Sequence, residues 1–147
     1  MKRERRRVRS LAIQTLYEVD TVRHSPQAVI ARHIESNPSL SEENAEFLRT
    51  LVLGVLAVAP QLDEWIALSA PEWPVDQLAV LDRNILRMAL WELAVSDETP
   101  LKVAINEAVE LAKRFGSDSS PRFINGVLGT LAKREQELRQ YLEVSAG

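Results

Sequence analysis

Lys2, Arg3, Arg5, Arg6, Arg7 and Arg9 make six of the first nine residues basic, with Glu4 between them. Groups of this type at this density hold polyanions, because each guanidinium presents a planar fork of N–H donors that fits two oxygens of a phosphate. The run leads without a break into an amphipathic helical pattern. There it opposes the positive end of the helix dipole, a penalty of about 0.3 kcal/mol or more per charge. A cluster kept at that cost suggests a polyanion outside the chain.

The residues that follow extend the same surface. At about 100° per residue, Arg3, Arg6, Arg7, Ser10, Gln14 and Tyr17 fall within roughly one third of the helix circumference, opposite Val8 and Val19. Guanidinium groups suit phosphates, Ser and Gln suit sugar or base edges, and a Tyr ring suits stacking, the combination used on single-stranded RNA. Ile13 lies near this face and suits a protein contact. The competing readings are a frayed, solvated tail for the arginines and a core ring with its hydroxyl at the surface for Tyr17.

A second candidate surface is the segment from Phe115 to Phe123. Gly116, Ser117, Asp118, Ser119 and Ser120 make a small polar loop leading into a helix N-terminus, where free N–H groups attract phosphate, and Lys113, Arg114 and Arg122 are close in sequence. The alternative is an ordinary turn between helices with two core phenylalanines. Glu107, Glu110, Lys113 and Arg114 read as solvated i,i+3 and i,i+4 pairs.

The elements that must position these groups are helices. Val8, Leu11, Ala12, Leu16 and Val19 define a first helix reaching about Arg23. Ser25-Pro26 starts a second, and Asn37-Pro38 breaks the chain. A third opens at Ser41, and a fourth holds Leu62, Trp65, Ile66 and Leu68. Pro71 and Pro74 mark the longest loop. A fifth helix is expected from about Val75 to Val95, and a sixth from Pro100 to Phe115, with Gly116 as a left-handed cap. A seventh follows Ser119, Ser120 and Pro121, with Phe123, Ile124, Val127, Leu128 and Leu131 on its apolar side. Within it, Asn125-Gly126 is unfavourable by about 1 kcal/mol for the glycine alone, which predicts close helix packing at Gly126 and a buried amide at Asn125. Trp65, Trp73 and Trp91 read as core or loop anchors. The expectation is one all-α domain over 1–147 of about seven helices in two packed halves. The basic strip covers 2–9, the first half about 10–70 and the second about 75–142.

The whole chain is acidic, at −3 over 147 residues, so charge is segregated between the strip and the rest. An acidic body with one basic strip binds nucleic acid or an anionic surface through a defined patch. There is no Cys, which excludes disulfides and thiolate chemistry, and only His24 and His33 could add imidazole ligands. No glycine-rich phosphate loop is present, so no enzyme activity, metal or cofactor is expected. No apolar run approaches the ~20 residues that cross a bilayer, and the basic start lacks a hydrophobic signal core. A cytoplasmic protein without a membrane partner is expected.

Residues 9–19, RSLAIQTLYEV, match residues 83–93, RNILRMALWEL, at Arg9 and Arg83, Leu11 and Ile85, Leu16 and Leu90, Tyr17 and Trp91, Glu18 and Glu92. Convergent amphipathic helices or a related long helix in each half would both produce this. The stretches RRRVRSLAIQTLYEVD, LDRNILRMALWEL, PLKVAINEAVELAKRFG and SPRFINGVL together resemble the NusB transcription antitermination factors over nearly the whole chain, although residues 24–45 carry no matching motif. The resemblance implies an all-helical fold of two packed halves, binding to single-stranded boxA RNA of ribosomal RNA leaders, pairing with the ribosomal protein that acts as NusE, and work within a transcription elongation complex. It also implies that the N-terminal strip and the Phe115–Phe123 segment share one RNA-facing side, and it leaves monomer and homodimer both open. Candidate RNA contacts are then Lys2, Arg3, Arg5, Arg6, Arg7, Arg9, Ser10, Gln14, Tyr17, Phe115, Ser119, Arg122 and Phe123. Candidate partner contacts are Ile13, Glu72, Asp76 and Asp82. Two alternatives stand beside this: a relative of the helical RNA-binding module of ribosomal RNA cytosine methyltransferases, or a protein-interaction module without RNA specificity.

Overall fold

In the computed structural model, described over residues 2–71, 74–95 and 99–146, the chain forms helices and no strand. Helix α1 spans Lys2–Val22, α2 Pro26–Ser36, α3 Glu42–Ala57 and α4 Ala59–Ser69. A 3₁₀ turn at Val75–Gln77 precedes α5, Val80–Val95; then come α6, Leu101–Phe115, α7, Ser120–Ala132, and α8, Glu135–Ala146. No single helix among the described residues is long and apolar enough to cross a membrane.

Local chemistry sets most boundaries. Arg23 takes a positive φ of 62° and turns the chain out of α1, a conformation that costs a non-glycine residue about 1 kcal/mol. Ser25 then caps α2, accepting from the Ala28 N–H, with Pro26 at the first helical position. Ser41 caps α3 in the same way through the Asn44 N–H at 3.1 Å, and Glu42 and Glu43 complement the dipole in its first turn.

Helix α5 is the hub. It carries ten buried residues and packs against α1, α3, α4, α6, α7 and α8. The first half brings α1 onto α2 and α3, and the second brings α6 onto α7. One apolar core runs through both, from Val8, Ile13 and Leu16 through Leu48, Leu62 and Leu90 to Ile124, Leu128 and Leu138. Trp91 lies against the bare backbone of Gly54, where an added Cβ would stand 2.4 Å from the ring. The first half therefore packs on the second with no side chain between them at that point.

Four expectations are corrected. Helix α5 starts at Val80, because residues 75–77 close a separate 3₁₀ turn after Pro74. The last helical stretch is divided into α7 and α8, and α8 buries Leu138 and Leu142 and sets Tyr141 against Trp65 with ring centres 5.8 Å apart. Gly116 is extended, with φ −91° and ψ −171°; its missing side chain is needed because a Cβ would meet Ser120 at 2.6 Å. Asn125 and Gly126 are exposed, and a Cβ on Gly126 would meet nothing within 4 Å, so neither close packing nor a buried amide explains that pair. Trp65 and Trp91 are buried as core anchors; Trp73 lies outside the described residues.

Candidate nucleic-acid interface

The N-terminal arginines extend the first turns of α1, so helical geometry fans them in different directions rather than along one line. Arg9 points inward. It is 6% exposed and donates from Nε and Nη2 to the two carboxylate oxygens of Glu92 at 2.8 and 2.9 Å, with Glu92 itself 2% exposed. Burial works against the Arg9 charge, but the hydrogen bonds and attraction of Glu92 outweigh it and raise its pKa. Thr99 also donates to Glu92 at 3.0 Å. Arg9 is thereby corrected from a phosphate contact to a structural cation joining α1 to α5.

Arg5 lies over the Phe47 ring, 4.0 Å from its centroid, and reaches Glu43 at 3.4 Å. Arg6 makes a two-point pair with Glu107 of α6 at 3.0 and 3.1 Å, which raises its pKa through the hydrogen bond and the charge of Glu107. Arg7 donates to Ser39 Oγ at 2.9 Å and to Asn37 Oδ1, both neutral groups beyond α2. Arg3 is exposed, and no described residue is bonded to it. Of Lys2 only the backbone, in the first turn of α1, is described.

Further along α1, Gln14 and Tyr17 face out as expected. Gln14 donates to the Ser10 carbonyl at 3.1 Å, and the Tyr17 ring is 43% exposed. Ser10 is buried, which corrects its expected place on the open face; its Oγ accepts from Arg114 Nη1 of α6 at 3.4 Å. Ile13 is 0% exposed and belongs to the core, so it presents no surface to a partner.

The Arg114–Ser10 contact holds the C-terminal turn of α6, just before the second candidate surface, against α1. Between α1 and α6 lies a cleft of about 210 Å³ lined by Arg6, Ser10, Glu107, Glu110, Lys113 and Arg114. Beyond Arg6 and Glu107 a larger groove of about 510 Å³ continues over Phe47, Asn106 and Val103. Lys113 pairs with Glu110 at 3.3 Å, as an exposed i,i+3 pair. Glu107 and Arg114 do not fit that reading, since both are bound across to α1. Only tertiary contact distinguishes them, and sequence spacing carried no signal for it.

At the start of α7, Ser119 is exposed and caps without a side-chain bond. Ser120 is buried instead, its Oγ accepting from the Ser117 N–H at 2.9 Å and so folding the loop back on itself. Arg122 is exposed, Phe115 and Phe123 are half-buried against the core, and Arg114 lies 5.3 Å from the Phe115 ring centre. Of the acidic residues expected to meet a partner, Asp76 is exposed and Asp82 is half-buried; Glu72 lies outside the described residues. No group of three or more metal-ligating side chains occurs among the described residues.

This is an all-α fold with a cleft between α1 and α6 that sets Arg6, Lys113 and Arg114 beside Glu107 and Glu110. The NusB family model matches residues 6–133, and the chain belongs to the NusB family. It is 51% identical over 138 residues to the transcription antitermination protein NusB of Roseiflexus sp. strain RS-1, covering 92% of this chain and 96% of that one. The solved T. maritima NusB superposes with a TM-score of 0.82 at 30% identity, covering 88% of this chain and 90% of that one. A solved complex of antitermination factors NusB and NusE with double-stranded RNA contains a chain of the same fold, with TM-score 0.81 at 24% identity, covering 91% of this chain and 99% of that one. The chain is accordingly a transcription antitermination factor of this family and not an enzyme.

Proposed function

We propose that this factor binds single-stranded boxA-like RNA of ribosomal RNA operons together with the ribosomal protein that acts as NusE, and delivers that joint surface to a cytoplasmic transcription elongation complex. The observation that supports the reading is the Arg114–Ser10 contact, which holds α6 against α1 beside a cleft lined by Arg6, Lys113 and Arg114. Arg6 within that cleft, with Arg3, Arg7 and Arg122 outside it, holds the backbone, while Gln14, Tyr17, Phe115, Ser119 and Phe123, also outside it, meet the bases. An exposed Tyr ring on the helix that carries the arginines favours an unpaired strand, because only a base released from a duplex offers its face for stacking. Asp76 and Asp82 form the acidic surface for a basic ribosomal protein.

The test is a titration of a labelled boxA-like oligonucleotide, its duplex and a scrambled strand, each with and without the ribosomal protein. The single boxA-like strand should bind tightest and gain further from the partner. Equal affinity for all three, unaffected by the partner, would refute the assignment.

A further inference from the structure

Within the proposed cleft two cations are already paired with anions of the chain itself, Lys113 with Glu110 by a single contact and Arg6 with Glu107 by two. Arg6 donates from Nε and Nη2 to the two oxygens of Glu107, a side-on geometry that also fits two oxygens of a phosphodiester. The Arg6 side chain is 58% exposed and reachable, whereas the Glu107 side chain is 14% exposed and held on the wall of α6. Arg114, next to it, has a neutral hydroxyl partner, Ser10, so the cleft retains a cation while Arg6 is neutralised.

Building on the RNA-binding reading above, we propose that Glu107 is a resident competitor for the RNA backbone, a carboxylate occupying the position on Arg6 that a phosphate takes when RNA enters. A phosphate arriving between Arg114 and Arg6 exchanges with the carboxylate, and no covalent bond changes. Glu107 lines both the small cleft and the 510 Å³ groove beyond it, so the released carboxylate turns toward that groove and is hydrated there. The exchange makes entry conditional: a ligand with only one weak contact cannot displace Glu107, whereas a strand already held at Arg3 and Arg7 can. The device therefore lowers affinity for stray anions more than for the cognate strand.

The experiment measures RNA affinity of the full chain for Glu107→Gln and Glu107→Ala, with Glu110→Gln as a comparison that removes the single-contact partner of Lys113 from the same cleft and leaves both Arg6 hydrogen bonds in place. Both Glu107 variants should bind the boxA-like strand about two- to fivefold tighter, the range an exposed ion pair commands, and a scrambled strand should gain more. The comparison variant should gain less than either. In an Arg6→Ala background the gain should vanish. A gain in affinity cannot arise from damaged folding, and circular dichroism on each variant checks that the helices are intact. If wild-type protein binds RNA but the Glu107 variants bind no tighter, or if Glu110→Gln gains as much, the competitor is refuted while the RNA reading stands. If wild-type protein binds no RNA at all, both fall.

Discussion

Arg9 and Glu92 form a buried two-point ion pair that ties the N-terminal helix to the central one, and Arg83 and Asp20 form a second, at 2.9 Å, between the same two helices. Residue numbers rise along α1 as they fall along α5, so the helices cross antiparallel with an Arg-to-carboxylate tie near each end. Arg9 and Arg83 occupy matching positions in the repeated segments 9–19 and 83–93, but Glu18, which matches Glu92, bonds Arg32 and His24 rather than Arg83. Burial opposes the charge of Asp20, but hydrogen bonds from Asn84 and Arg83 and the nearby arginines hold its pKa below the usual value.

Arg9 is expected to affect stability rather than RNA affinity. Arg9→Ala leaves Glu92 buried without its partner and should cost about 3–5 kcal/mol of unfolding free energy in a denaturant titration. Replacing both residues by Leu should recover most of that loss. A variant as stable as wild type would show that the pair contributes nothing net.

Backbone holding and base stacking should separate in salt titrations. Arg3→Ala and Arg7→Ala should each flatten log affinity against log salt by about 0.7, for every RNA sequence alike. Tyr17→Ala should keep the slope and cost about 1–3 kcal/mol of binding, with little change in melting because the ring is already exposed. Phe123→Ala should lose stability as well, since that ring is half-buried against the core.

The glycines predict opposite signs. Gly54→Ala drives a methyl into the Trp91 ring and should destabilise by about 1–3 kcal/mol. Gly126→Ala and Gly129→Ala, both on the open face of α7, should stabilise by up to about 1 kcal/mol each. Thermal melts of the three variants decide the matter.

Acid stability should depend on Glu18, which accepts from Arg32 and His24 and whose pKa those bonds lower to about 2. A carboxyl held below its ordinary 4.5 contributes fully above that value and is lost as pH falls toward 2. Glu18→Gln should therefore be less stable than wild type near neutrality, and the gap should close between about pH 4.5 and 2. A constant gap across that window would assign the difference to packing.

The partner surface is best tested at Asp76, which is exposed, rather than at half-buried Asp82. Asp76→Arg should slow association with the basic ribosomal protein and leave RNA binding by the factor alone unchanged. Unaltered association kinetics would place the contact on another face.

Apolar spacing was enough to locate the helices, because burying one stripe dictates the period; Val8, Ala12 and Leu16 fall where it places them. It failed at residues 75–79, where Val75 and Leu78 mimic the stripe although a 3₁₀ turn intervenes. The candidate site was legible in type but not in pairing. Nothing in an arginine run distinguishes the residue that turns to Glu92 from the one that meets solvent, since the carboxylate lies 83 positions away. Ser119 and Ser120 were equally ambiguous: which hydroxyl closes the loop depends on the turn at Ser117.

The ties from α1 to Glu92 and Glu107 span 83 and 101 positions. On the ribosome the helix carrying the arginines emerges well before α5 and α6, so its carboxylate partners there, Glu92 and Glu107, do not exist while it is being made. Closing so long a loop precedes any gain from those contacts. Arg5 and Arg7 can meet their partners at 37–47 early, but Arg6 and Arg9 stay without theirs until α5 and α6 arrive, so the full docking of α1 is a late event.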